Sequence, residues 1–138
     1  MAAFGPEVVF HQLTDLPDDI TDLGRFSDRS DRMRSEGTRN LLAAAAAAKA
    51  HRVIAQSISW ELADEQRRAI TASHERAVLR AGGVVIRYGQ LYGPGTFYAG
   101  DPPPPPRIHI ENAAPMTLPA LALAAPPGVT IVIDDRVT

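Results

Sequence analysis

Apolar positions along the chain fall in short runs separated by polar or alanine-rich stretches. Glu7-Val8-Val9-Phe10-His11, entered through Gly5-Pro6, reads as a buried strand. Residues 12–29 (QLTDLPDDITDLGRFSDR) are polar, acidic and broken by Pro17 and Gly24, which predicts a loop with at most one helical turn. Residues 30–50 predict the clearest helix. Ser30 is placed to cap it, Asp31 suits its first turn, and Leu41-Leu42 with the alanine run favour helix. Gly37 inside it costs about 1 kcal/mol against alanine, which points to something packing close to the backbone. His51 to Ser59 (HRVIAQSIS) predicts a second strand. Residues 61–81 predict a second helix, with Leu62, Ile70, Ala77 and Val78 near one face and Gly82-Gly83 ending it. Val84 to Tyr88 predicts a third strand. Residues 89–106 predict a long loop holding YGPG and five consecutive prolines. Arg107 to Ile110 is a short extended piece. Asn112 is placed to cap a helix over 113–125, which Pro119 should kink or break. Val129 to Ile133 predicts the last strand. Apolar strands alternating with helices predict an α/β fold, a mostly parallel sheet in three layers with helices on both faces. No internal repeat is present.

Composition narrows the function classes. The 138 residues carry 14 Lys+Arg against 16 Asp+Glu, a net charge of −2, without the basic excess of a nucleic-acid binder. The absence of cysteine excludes disulfides and cysteine-ligated metals. The longest apolar run, Leu41 to Ala48, is far short of the roughly 20 residues that span a bilayer. No signal peptide is apparent at the start of the sequence, so the reducing cytoplasm is the expected compartment. Much of the 45% hydrophobic content is alanine, which buries little area at about 25 cal/mol per Å².

Three local features have a chemical reading and a plainer one. His11 with Asp15, and His109 with Glu111, pair metal-ligand side chains, but at spacings that match no zinc signature; strand-end histidines bonded to neighbours are expected. Asp15, Asp18, Asp19 and Asp22 lack the order of a calcium loop and read as a solvated segment. Pro102 to Pro106 reads as a stiff spacer rather than a docking ligand for SH3-like domains.

Several segments, in order, resemble one family. VVFHQLTDLP is similar to the fourth-strand "VVHLAA" segment of the NAD(P)-dependent epimerase/dehydratase family, the extended short-chain dehydrogenases, in an atypical form. Glu36 to Leu42 resembles its "GTxNLLxAA" helix, and RVIAQSIS its fifth strand, which normally ends in a serine-rich catalytic turn. HERAVLRAGGVVIRYGQLYGPG resembles "AExxLRxxGLxxxxLRxxxVYGPG", RIHIENAA resembles "HVDDVA", and GVTIVIDD resembles "GVYNVVDD".

The resemblance implies a partial Rossmann-like domain over residues 1–138. Residues 1–100 would be the second half of a nucleotide-binding core, and 101–138 a remnant of the substrate-domain and C-terminal segment. The cofactor implied is NAD or NADP, and the substrate a small carbonyl or sugar-like molecule. Ser57 matches the catalytic serine. Leu13 and Thr14 match the backbone that passes the cofactor. Tyr88 and Gly89 match the segment beside the nicotinamide, and Gln90 the segment beside the substrate. The family's GxxGxxG loop, whose glycines admit the pyrophosphate, is not found in the sequence, and the first three strands would lie upstream of Met1. The YxxxK pair is also replaced. Counting back from Glu75 puts Thr71 at the lysine and Arg67 at the tyrosine, and neither serves as a proton donor with a tuned pKa. The expectation is a catalytically impaired oxidoreductase-like chain. A non-enzymatic NAD(P)-binding sensor or regulatory module, and a truncated gene product, are the alternatives. A strand that lacks its sheet neighbour, Glu7–His11 foremost, is expected to promote a homo-oligomer.

Overall fold

The computed structural model describes residues 4–15 and 20–134. In chain order the elements are β1 (Val8–His11), α1 (Leu23–Arg32), α2 (Thr38–Ala47), β2 (Arg52–Ile58), α3 (Glu65–Arg80), β3 (Val84–Tyr88), β4 (Gln90–Tyr92), β5 (Arg107–His109), α4 (Ile110–Leu121) and β6 (Gly128–Val132). β1, β2, β3 and β6 form a four-stranded sheet in the order β1-β2-β3-β6, every pair parallel. The expected parallel α/β architecture is present. Among the described residues no helix is long and apolar enough to cross a membrane.

Side-chain alternation assigns the two faces. Ile54, Val84, Ile86, Tyr88 and Val132 point to the α4 side and pack with Ile108, Ala113 and Ala120. Ala55 and Val85 point the other way, onto Val78 of α3. The largest of these are fully buried, each worth about 1.5–3 kcal/mol against exposure. Small residues set the spacing on the α3 side: a Cβ at Gly83 would lie 2.7 Å from the Val53 carbonyl. α3 is capped by Asp64, whose Oδ1 accepts from the Arg67 amide at 2.8 Å, and Gly82 at φ +74° ends it. The guanidinium of Arg52, buried in β2, donates to the carbonyls of Leu123 (2.7 Å) and Ala125 (2.6 Å) just beyond α4.

Four boundaries differ from the expectation. Helix begins at Leu23, after a short 3₁₀ turn at Ile20–Asp22, not at Ser30. Ser30 is therefore buried mid-helix and caps nothing; the polar run turns helical because its serines face inward, Ser27 Oγ bonding to the Gly24 carbonyl at 3.1 Å. Between α1 and α2, Met33–Gly37 is one wide turn in which the Thr38 amide reaches back to the Met33 carbonyl. Gly37 belongs to it, and what crowds its backbone is Met33 of the same helix: a Cβ would meet its Sδ at 2.8 Å. The predicted loop over 89–106 contains β4, which pairs with β5 in a separate two-stranded sheet. Finally, α4 is capped by His109, whose Nδ1 accepts from the Glu111 amide at 3.3 Å, while Asn112 reaches Asp134 instead. Pro119 does not break α4, which runs through Pro115 and Pro119 and ends at Leu121.

Both sheet edges carry exposed apolar side chains, Phe10 on β1 and Val129 and Ile131 on β6.

Candidate functional site

Parallel strands all end at the same side of a sheet, and there the chain must turn over or under it. The turns leave a crevice at the carboxyl ends, where open α/β sheets take their ligands. Here that crevice is a cavity of about 880 Å³, within the roughly 300–1,000 Å³ usual for small-molecule sites. Its walls come from the end of β2 and the following loop (Ile58 to Leu62), from α3 (Arg68, Thr71, Ala72, Glu75), and from Arg87, Tyr92, Pro105, Pro106, Arg107, Ile131, Ile133 and Asp134.

Two polar clusters stiffen it. In the first, Glu75 Oε1 accepts from Ser57 Oγ at 2.5 Å and Arg87 Nε at 2.9 Å, and its Oε2 accepts from Arg87 Nη2 at 2.6 Å. Burial pushes the Glu75 carboxyl up, but the bonds from Arg87 and Ser57 outweigh it and hold the group below its ordinary value. Arg87 is correspondingly raised by its bond to Glu75. In the second, the Tyr92 hydroxyl donates to Asp134 Oδ2 at 2.6 Å, and Asp134 Oδ1 accepts from the His109 amide at 3.2 Å. The bond to Asp134 raises the Tyr92 phenol. Burial would raise Asp134, yet the donors around it hold it low, so it is a carboxylate.

None of the six residues matched from sequence to catalytic, cofactor or substrate positions is in the lining of this cavity. Ser57 is fully buried behind the wall, its hydroxyl committed to Glu75. The side chain facing the cavity from that strand end is Ile58, followed by Ser59, whose Oγ donates to the Tyr88 carbonyl at 3.0 Å. Leu13 and Thr14 lie exposed on the loop after β1. Tyr88 is buried on the α4 face, its hydroxyl 2.6 Å from Thr117 Oγ1. Gly89 is a close-approach position, where a Cβ would sit 2.6 Å from the Arg107 backbone. Gln90 holds the proline segment, donating to the Pro104 carbonyl at 3.2 Å and accepting from the Tyr98 hydroxyl at 3.1 Å. That tether makes Pro105 and Pro106 part of the cavity wall.

The replaced pair has new partners. Arg67 lies 3.8 Å from Asp31. Thr71 accepts from Arg34 Nη1 at 3.0 Å, so a guanidinium on the wide turn stands behind the position that matches the lysine. Burial lowers Arg34, opposed by Asp31 and Glu75; it stays charged. Sequence reasoning missed Arg34, which carries no local signal. It also missed Arg87, for which a signal existed: an arginine inside a strand that otherwise reads apolar needs a partner.

A buried chain joins β1 to α3. His74 Nε2 lies 3.0 Å from the Gln56 carbonyl and so carries the proton; His74 Nδ1 then accepts from Thr38 Oγ1 at 2.8 Å, and Thr38 accepts from His11 Nε2 at 3.1 Å. His11 Nδ1 is left buried without a partner. Burial lowers the pKa of both rings, and each is also lowered by a neighbouring charge, His74 for His11 and Arg34 for His74. His11 Nε2 is engaged by Thr38, and Asp15 bonds Arg29 at 2.8 Å; among the described residues there is no group of three or more His, Asp or Glu that could hold a metal. Asp18 and Asp19 lie outside the described residues.

No family model matches the sequence. A curated relative, the 3-diazoavenalumate denitrifying reductase of a Streptomyces species, is 40% identical over 125 residues, an alignment that takes in 73% of this chain and 41% of the relative. The chain thus spans less than half the length of that relative. Among solved structures, the NAD complex of UDP-glucose 4-epimerase from Thermus thermophilus superposes with a TM-score of 0.67 at 18% identity, covering 94% of this chain and 57% of that one. The fold is therefore Rossmann-like, the parallel α/β sheet of the epimerase neighbour.

Proposed function

We propose that this chain forms the substrate-side wall of a nicotinamide-dependent reductase of the extended short-chain dehydrogenase type. The observation that carries the reading is the cavity of about 880 Å³ at the carboxyl ends of the parallel strands. Its position is where this architecture takes ligands, and the 40% identity to a reductase favours reduction over epimerisation.

The residues present fit a dinucleotide unevenly. Leu13 and Thr14 are exposed at the end of β1, which leaves the backbone there open to a cofactor. Tyr88 and Gly89 are already taken by Thr117 and by the β5 backbone. Residues 1–138 hold no GxxGxxG cradle for the pyrophosphate. The open end of β1 leaves room for a cofactor; the positions matched to the nicotinamide and to the phosphates do not fit it. When bound, the cofactor supplies or accepts a hydride.

What this chain's own residues contribute is orientation and exclusion of water. Ser57 is locked to Glu75, Arg67 is a permanent cation, and Thr71 is an acceptor for Arg34. None of them relays a proton to a substrate oxygen. The arrangement favours reductions that need no proton from the protein, and it predicts little turnover by the isolated chain.

The test is a titration of NADPH and NADH with the 138-residue protein, followed by nicotinamide fluorescence. Weak, saturable enhancement is expected. No change up to millimolar cofactor sinks the reading, and robust turnover by the isolated chain overturns the assignment of impairment.

A further inference from the structure

The cavity is amphipathic, and its charges are unequally committed. Ile58, Trp60, Leu62, Ile131 and Ile133 line it with hydrocarbon. Both oxygens of Glu75 are taken by Arg87 and Ser57. Both oxygens of Asp134 are taken by Tyr92, the His109 amide and Asn112. Glu61 is exposed to solvent. Glu61 also lines the cavity, so of its carboxylates those of Glu75 and Asp134 are used.

The donors are not. Arg68 Nη1 donates to the Leu62 carbonyl at 2.9 Å, and Arg107 Nη1 to the Pro103 carbonyl at 2.9 Å. The Arg107 guanidinium also lies 5.6 Å from the Tyr92 ring centroid. Among the described residues neither arginine has a carboxylate within ion-pair distance. A guanidinium carries five N–H donors in a fixed fork that matches a carboxylate. Arg107 also bonds the Tyr92 side chain, and each of the two still has N–H groups beyond these contacts.

We propose that the cavity binds a small organic anion, an apolar or aromatic body bearing a carboxylate, with Arg68 and Arg107 on the carboxylate and the isoleucine–tryptophan wall on the body. This rests on the cavity being the substrate site, and it names the class of substrate.

The experiment compares 3-phenylpropionate with 3-phenylpropionamide, which share a body and differ in charge. Trp60 is the sole tryptophan and lies in the wall, so its emission reports occupancy. The acid is expected to bind about tenfold or more tighter than the amide, because charge-assisted bonds are roughly twice as strong as neutral ones. The preference should shrink in Arg68→Gln and in Arg107→Gln and vanish when both are changed. Circular dichroism checks each variant; should Arg107→Gln misfold, the wild-type comparison and the exposed Arg68→Gln still decide. Equal binding of acid and amide, or no Trp60 response to either, overturns the proposal. The NADPH titration is run separately. Acid bound with no cofactor response sinks the reductase reading and leaves the anion site standing; the reverse result sinks the anion site alone.

Discussion

Consider Arg87→Met. The Glu75–Arg87 pair is lopsided: the glutamate side chain is 9% exposed and the arginine 40%. Removing the exposed partner strands the buried one. In Arg87→Met, Glu75 keeps only the Ser57 hydroxyl, and its charge sits in a desolvated wall. Such stranding costs about 3–5 kcal/mol for fully buried pairs. Water reaching the space vacated by a partner 40% exposed brings this to about 2–3 kcal/mol. Glu75→Gln is the opposite deletion. Its amide oxygen still accepts from Ser57, and Arg87 turns to solvent, so the loss is about 1 kcal/mol. The pH dependence carries the sign. In the wild type the Glu75 carboxyl lies below its ordinary 4.5, so its contribution is present above that value and lost as pH falls. In Arg87→Met burial dominates and raises the carboxyl above the unfolded value. The penalty is then greatest at neutral pH and disappears as the group protonates. The stability gap between wild type and Arg87→Met should narrow on acidification, by at most about 1.4 kcal/mol per pH unit. The histidines titrate in both proteins and cancel in the difference. Urea unfolding followed by Trp60 emission at pH 7 and pH 5 measures it. A gap of equal size at both pH values, or a Glu75→Gln variant less stable than Arg87→Met, refutes the reasoning.

The buried His11–Thr38–His74 chain predicts acid sensitivity of its own. Both rings are held below 6.5, so the unfolded chain takes up protons first, and stability falls as pH drops below about 6.5, by up to about 1.4 kcal/mol per pH unit per histidine. His74→Gln should flatten that slope in urea midpoints taken from pH 7.5 to 5.5. Thr38→Val leaves two ring nitrogens without their shared partner and should cost about 2 kcal/mol by thermal unfolding. Tyr88→Phe should cost about 1 kcal/mol through the lost Thr117 bond yet leave NADPH affinity unchanged; a weakened cofactor titration would return Tyr88 to the site. Gly89→Ala drives a methyl into the Arg107 backbone and should lower stability by about 1–3 kcal/mol.

The sheet was legible in the sequence because buried parallel strands read as continuous apolar runs. β2 and β3 appear within a residue or two of their predicted limits, and β6 within one. Helix boundaries were less legible where polar residues satisfy one another inside the element. Residues 23–29 look like loop by composition, but Ser27 bonds within its own turn and, just beyond, Arg32 pairs with Glu36 at 3.0 Å. β4 and β5 are too short to show a period, and only their mutual pairing makes them strands.

The site was legible in position but not in partners, and the reason is physical. A motif match fixes where a residue sits along a strand; it does not fix what stands opposite. Ser57 sits at the expected strand end, but its face is decided by the β2 pleat, which turns it onto α3. There Glu75 is held by Arg87 and takes the hydroxyl first. Thr71 likewise has no charge of its own, yet the wide turn at Met33–Gly37 delivers Arg34 to it across 37 residues of sequence. Neither relation is local, so no spacing rule reports it. The same logic bears on Arg68 and Arg107. They drew no attention as single residues on a helix and a short strand. Their interest arises only when both are found lining one cavity whose Glu75 and Asp134 carboxylates are already bonded. A binding property of that kind belongs to the balance of donors and acceptors around a space, and it exists only once the fold has enclosed the space.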